Sequence, residues 1–359
     1  MIHVVLLVVC AVVIYLACEW FVNAVEWLGV RMRVGAVAVG TILAAAGTAL
    51  PESVVTLVAV LFGSPEQGDD VAVGAALGGP LVVGTIAYGV TGAMLLWKRR
   101  QTVRDVDRQL VSVGRGQTSP AERVAGGDTA GPEAGLAAVD LRRLARDQTW
   151  FLAIFVVKVG LGLVAFAFKP WLGVVFFAAY AVYFFKEMTG DDDHASADGL
   201  EPLKLQRRRA TPSTLAVLTQ TVGTLAVIFA ASQLFVRQIE WAGPAIGLPT
   251  TVVALLLAPV ATELPEILNA IIWVRQGKVG LALANISGSM MIQATVPSGI
   301  GLLATPWVFT TPLLLAGVAT MAAVGYLLWL LRTRRLTPGR LAGTAAFYGV
   351  FAGALMFTF

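Results

Sequence analysis

The sequence predicts an all-α integral membrane protein of about ten transmembrane helices, arranged as two inverted five-helix repeats. Composition, the length of the apolar runs and an internal match carry that expectation. The 359 residues are 57% hydrophobic and only 13% charged, with a mean hydropathy of +0.78, whereas a soluble domain carries about 25% charged residues. Apolar runs of about 20 residues or longer suit helices that cross ~30 Å of hydrocarbon. The alternating strands of about ten residues that build a membrane β-barrel do not occur.

In chain order the spans fall at about 2–28, 34–62, 71–97, 149–168, 170–186, 213–240, 246–273, 279–303, 307–331 and 338–358. The first run is too long for a secretory signal and has no basic segment before it, so it reads as a retained span. It holds both cysteines, Cys10 and Cys18, and two thiols in one span read as small apolar packing residues rather than a disulfide framework. Two polar segments divide the spans. Residues 1–97 hold three of them, 98–148 form a loop, 149–186 hold two, 187–212 form a linker and 213–359 hold five. Residues 101–140 are rich in Gly, Ala, Ser, Thr, Arg and Asp without apolar periodicity, so this loop is expected to be largely disordered. The acidic run from Asp191 to Asp198 reads as a solvated loop balanced by Arg207, Arg208 and Arg209, with a regulatory cation site as the alternative.

Charge sets an orientation. Lys and Arg gather in 29–33, 98–148, 187–212, 274–278 and 332–337, which alternate with connections carrying Glu66, Asp69 and Asp70 or almost no charge. Basic connections stay in the cytoplasm, which places the two long loops there and both termini outside, in a plasma (inner) membrane. The net charge of +4 sits beside the spans, so the lipid bilayer is the expected partner and nucleic acid is not. The oligomeric state stays open.

Residues 21–63 align without gaps on 235–277. Phe21–Gly29 matches Phe235–Gly243, with Glu26 on Glu240 and Trp27 on Trp241, and Gly47–Glu52 matches Ala261–Glu266. Five spans separate the copies. An odd number means that the second half enters the membrane from the opposite side, the architecture of many secondary transporters, whose sites lie near the midplane at the repeat interface.

The repeated segments, GTALPE and ATELPE, place a proline before a glutamate near the middle of spans two and seven. Proline has no N–H and its ring clashes with the carbonyl four residues back, so Pro51 should free the carbonyl of Gly47 and Pro265 that of Ala261. Hydrocarbon supplies no water to satisfy such groups, but a cation can. Thr48 and Glu52 are four residues apart on one helix face, as are Thr262 and Glu266, and Glu263 joins the second face. Two interrupted helices would then turn carboxylates, hydroxyls and carbonyls toward one point, and hard oxygen ligands suit Ca²⁺ or Na⁺. A glutamate at the bilayer centre is costly and reads as functional. The alternative is a protonated acid bonded to a neighbouring helix.

These segments resemble the cation/calcium exchanger superfamily, the sodium/calcium and proton/calcium exchangers. Their repeats centre on a G-T-S-x-P-E type segment, followed in the next helix by a G-N-x-x-G-S-N type segment. The resemblance implies a cation antiporter that moves Ca²⁺ against Na⁺ or H⁺ by alternating access. It matches Glu52 and Glu266 to the central cation ligands, Thr48 and Thr262 to the flanking threonines and Ser289 to a ligand serine. Gln293 falls where the family carries Asn or Asp. No enzyme activity and no cofactor is implied beyond the transported cations.

The departures from that pattern are informative. In span three the matching positions are Ala75, Gly79 and Val83, without a side-chain ligand among them, although Pro80 would free the carbonyl of Ala76. In span two the family serine is Ala49, and in span seven it is Glu263. The reconstructed site is asymmetric, with three acids, and closely spaced acids disfavour joint ionisation. That argues for H⁺ as a coupling ion, with Glu263 shuttling the proton while Glu52 and Glu266 hold the cation.

Lys158 lies inside span four and is expected to snorkel to the interface, with charge compensation or replacement of a coupling cation as the alternative. Glu19, Glu26 and Glu240 read as helix-end or cavity-lining groups, and the repeated Glu-Trp pairs as interfacial anchors. An intramembrane protease lacks its residues here, because no Asp lies in a span and the two histidines, His3 and His194, are terminal and loop-borne. A membrane scaffold without transport is the remaining alternative, motivated by the stripped span three.

Overall fold

A computed structural model describes residues 2–62, 65–113, 136, 139–189, 200–245 and 256–358. The protein is all-helical. The first three spans are α1 (Ile2–Met32), then α2 (Ala36–Ala38), a π-helical turn (Val39–Ala44) and α3 (Ala45–Phe62), then α4 (Pro65–Val82), a second π-helical turn (Val83–Ala87) and α5 (Tyr88–Val113). Spans four and five are α6 (Leu141–Leu161) and α7 (Leu172–Met188). The second half comprises α8 (Thr214–Ala245), α9 (Ala258–Thr262), α10 (Leu264–Arg275), α11 (Val279–Ala304), α12 (Thr311–Arg332), α13 (Pro338–Ala342) and α14 (Ala345–Met356).

Among the described residues, six helices are long and apolar enough to cross a membrane by length and composition alone. Their burial separates two roles. The apolar window of α11 is 83% buried inside the protein and that of α1 only 22%, so α11 is the central post and α1 faces lipid. Around α11 stand α3, α4, α6, α7 and α10, while α1 and α8 lie along each other at the side. Ile2, Val4, Val5, Val8, Val9 and Val12 of α1 are exposed, as a lipid-facing stripe requires. One close approach sets the centre: a Cβ on Gly288 of α11 would lie 2.1 Å from the carbonyl oxygen of Thr41. Only glycine lets the π-helical turn before α3 rest directly on α11.

Several expectations change. Span two is not interrupted at Pro51, because α3 runs through it without a break; the irregularity lies upstream, in the π-helical turn Val39–Ala44, a feature frequent at functional sites. The loop after span three is not disordered from residue 101, because α5 continues to Val113. Val103, Val106, Leu110 and Val113 recur at helical spacing, a periodicity the composition hides. At its other end, Asp140 caps α6 by accepting the N–H groups of Arg142 and Arg143 at 2.9 and 3.1 Å, which starts that helix well before the apolar run. Residues 114–135 and the acidic run 191–198 lie outside the described residues.

Span four ends at Leu161 rather than at 168. A Cβ on Gly162 would lie 2.4 Å from the Phe309 ring, and its carbonyl accepts the Phe309 N–H at 3.2 Å. The Lys169 ammonium then ties the carbonyls of Val164 and Trp307 together at 2.7 and 2.8 Å. Span ten is split in two by the turn at Gly343 and Thr344.

Candidate functional site

Glu263 stands at the only break between α9 and α10, with φ −84° and ψ 3°, in the sparsely allowed bridge region. Its N–H donates to Pro259 O at 3.1 Å and its carbonyl accepts from the Ile267 N–H at 3.2 Å, so the two short helices share it as a joint. Pro265 falls in the first turn of α10, where the missing N–H would have had no helical partner. The proline therefore starts a helix rather than kinking one. The Glu263 N–H bonds Pro259 O, and Pro265, four residues after Ala261, has no N–H to offer the Ala261 carbonyl. Gly47 lies in unbroken helix, its Cα facing the Phe21 ring, where a Cβ would come within 2.7 Å.

Glu266 occupies the first turn of α10, where the positive end of the helix dipole favours a carboxylate. Glu52 projects from α3. Glu52, Glu263 and Glu266 are 5%, 0% and 0% exposed, and they lie within electrostatic reach of one another. The threonines sit crosswise between the repeats: Thr48 stands beside the Glu266 carboxylate and Thr262 beside that of Glu52. Each hydroxyl donates its proton backward, Thr48 to Ala44 O at 3.2 Å and Thr262 to Pro259 O at 3.0 Å. Their oxygen lone pairs stay available.

From α11, Asn285, Ser289 and Gln293 are spaced four apart and fully buried. The Gln293 side-chain amide donates to both Glu263 carboxylate oxygens at 2.8 Å. Gly79 of α4 faces the same pair, since a Cβ there would lie 2.7 Å from Glu263 Oε1 and 3.1 Å from Gln293 Oε1. The two departures read from the sequence thus belong together. Glu263 fills the space that a larger residue at 79 would take.

Both Glu266 oxygens, Glu52 Oε2, Ser289 Oγ, Gln293 Oε1 and the Asn285 amide are buried without a hydrogen-bond partner. Native proteins leave few such groups, and each calls for an explanation. Among the described residues no three His, Cys, Asp or Glu side chains form a metal cluster by themselves. A cation held here would need carboxylates mixed with hydroxyl, amide and backbone oxygens, the donor set of Ca²⁺ and Na⁺ rather than of zinc. Ser53 and Asn269 are likewise buried and unpartnered. The sequence reading passed over Asn269, although it follows Glu266 by three positions and shares its helix face.

Other candidates separate cleanly. Glu26 pairs with Lys278 at 2.5 Å and accepts the Trp273 indole N–H at 2.9 Å, and Glu19 faces Tyr15 and Lys204 at 3.0 and 3.5 Å. The two matched tryptophans differ. The Trp27 indole donates to Glu201 O at 2.9 Å, and Trp241 stacks on His3 at 3.7 Å. The Glu240 side chain lies outside the described ones. Lys158 does not snorkel: it is 0% exposed, because its ammonium turns toward the carbonyls of Ala76 in α4 and Gln293 in α11.

Two inverted helical halves meeting at buried acids define a membrane transporter rather than an enzyme. The family model described as sodium/calcium exchanger protein matches residues 2–186 and 216–357, and the chain belongs to that family. The sodium-calcium exchanger NCX_Mj, in a structure soaked with 10 mM Na⁺ and zero Ca²⁺, superposes with a TM-score of 0.70 at 15% identity, covering 98% of each chain. Its structure soaked with zero Na⁺ and Ca²⁺ gives 0.68 at 15% identity, again covering 98% of each. At that identity the likeness speaks for the fold. "Putative antiporter CaxA" of Alkalimonas amylolytica is 29% identical over 136 residues, which is 38% of this chain and 41% of that protein.

Proposed function

We propose that the protein is a secondary active cation antiporter. It exchanges Ca²⁺ or Na⁺ against H⁺ or Na⁺ by alternating access, at a site formed by Glu52, Glu263, Glu266, Thr48, Thr262, Ser289 and Gln293. The carrying observation is the set of buried oxygens without partners, contributed by both repeats. Leaving a buried polar group unsatisfied costs about 1–3 kcal/mol, and more for a charged one. A cluster of them is stable when a cation completes it. Glu52 and Glu266 hold the cation in this reading, and Glu263 carries the exchanged proton. Membership of the exchanger family supports the reading. The charge pattern supports termini outside and the segments 98–148 and 187–212 in the cytoplasm.

The test is flux in proteoliposomes under an imposed Ca²⁺, Na⁺ or pH gradient, with Glu52→Gln and Glu266→Gln beside the unaltered protein. Counter-movement of two ions, abolished by either substitution, is expected. No flux of any cation would favour a scaffold without transport, and flux indifferent to both substitutions would overturn the site.

A further inference from the structure

Lys158 projects from α6 into the seam between α4 and α11. Its ammonium donates to the carbonyl of Ala76 at 2.5 Å and reaches that of Gln293 at 3.5 Å. It also lies 4.8 Å from the centre of the Phe155 ring. The two carbonyls have one property in common. Ala76 is four residues before Pro80, and Gln293 is four residues before Pro297; both prolines lie inside their helices. Neither carbonyl therefore has its usual helical N–H partner, and one comes from each repeat.

Two carbonyls freed by prolines and an aromatic face make an acceptor-only surrounding. It is what a bound alkali cation receives from backbone oxygens, and what a ring face offers an ammonium. An ammonium brings three donors and no acceptor. In α4 the positions corresponding to Asn285, Ser289 and Gln293 are Ala75, Gly79 and Val83, which bring no side-chain oxygen, so the carbonyls are what this helix has left to offer a cation.

We propose that Lys158 is a tethered cation: its ammonium permanently occupies a carbonyl-lined cation position between α4 and α11 that a mobile monovalent ion would otherwise fill. The inference rests on the antiporter reading for its consequence, which is that one positive charge of the loaded state belongs to the protein. Set against Glu52, Glu263 and Glu266 as carboxylates, one fixed positive charge leaves two negative charges to be balanced by cargo, matching a single Ca²⁺ or two monovalent ions.

The test uses the full chain purified in detergent, with Lys158→Ala, which opens the position, and Lys158→Met, which fills it without charge. Thermal unfolding is followed in NaCl, KCl and choline chloride at equal ionic strength. A tethered cation predicts that Lys158→Ala gains a stabilisation by Na⁺ or K⁺ over choline of a few degrees beyond that of the unaltered protein, and that Lys158→Met gains none. Equal losses in both variants whatever the salt would overturn the proposal, as would variants indistinguishable from the unaltered protein. Should Lys158→Ala not fold in any salt, the unaltered protein decides. Its Ca²⁺ flux in proteoliposomes should not change with an imposed membrane potential, and a potential-dependent flux would overturn the proposal. Absence of all flux would count against the antiporter reading, whereas the salt dependence of unfolding needs no transport and judges Lys158 separately.

Discussion

The Gln293 side-chain amide grips both oxygens of the Glu263 carboxylate, at 2.8 Å each. That places an α11 residue in contact with the acid that sits on the break between α9 and α10, and Gly79 of α4 closes the pocket from the far side.

Gly79→Ala should therefore destabilise the protein. Its Cβ would come within 2.7 Å of Glu263 Oε1, and overpacking of this kind costs about 1–3 kcal/mol, outweighing the ~1 kcal/mol by which alanine favours a helix over glycine. Combined with Glu263→Ala the sign should reverse, because the closest clash is gone, the Gln293 amide that remains 3.1 Å away is released from Glu263 and can yield, and the helix preference stays. Thermal unfolding of the single and double variants measures the coupling. Equal effects of Gly79→Ala in both backgrounds would show that the glycine does not serve Glu263.

Glu263→Gln keeps the shape of the side chain and removes its charge. If the exchanged proton travels on this residue, cation flux in proteoliposomes should persist under a Na⁺ gradient and lose its response to a pH gradient. An unchanged pH response would move the proton to another group.

A third prediction concerns the charged start of α6, ahead of the apolar run that begins at Thr149. There Asp147 is 2% exposed, and Arg143 and Arg146 both bind the Glu187 carboxylate of α7. Burial first, and then the Glu187 charge, push the Asp147 carboxyl up from 3.8 to about 7, against the pull of Arg146 and Arg143. Between roughly pH 4 and 7 the folded protein then holds a proton that the unfolded chain has lost. Stability falls as the pH rises through that window and stays at its lower level above it. Asp147→Asn removes this penalty, so its melting temperature should exceed that of the unaltered protein more at pH 8 than at pH 4.5. A difference that does not vary with pH would exclude the effect.

Much of this was legible in the sequence, for a reason specific to membranes. Hydrocarbon admits only helices and closed barrels, whose backbone bonds close internally, and with a barrel excluded the apolar runs mark the helical spans, while the matched GTALPE and ATELPE segments mark the acids. The fate of each proline was not legible. Pro51 and Pro265 stand in the same local sequence, yet one lies within a continuous α3 and the other opens α10. The difference lies in where the helix can end, which packing against neighbours decides. The depth of Lys158 was hidden in the same way. Counted along the apolar run 149–168 it falls near the middle, and only packing shows what meets it there: carbonyls of α4 and α11 take its ammonium and leave it no path to the surface. The helical continuation of α5 past residue 101 was readable from its valine spacing and was masked by a polar composition.

Thr48 of the first repeat attends the glutamate of the second, and Thr262 of the second attends that of the first. In the proposed site, therefore, neither five-helix half holds all of the ligand residues. The same crossing relaxes the symmetry of the duplicated segments. Where two non-identical copies face each other, a side chain missing from one leaves room for a longer one from the other, as Gly79 does for Glu263. The two halves are then like the leaves of a lock, which need to fit each other but not to match.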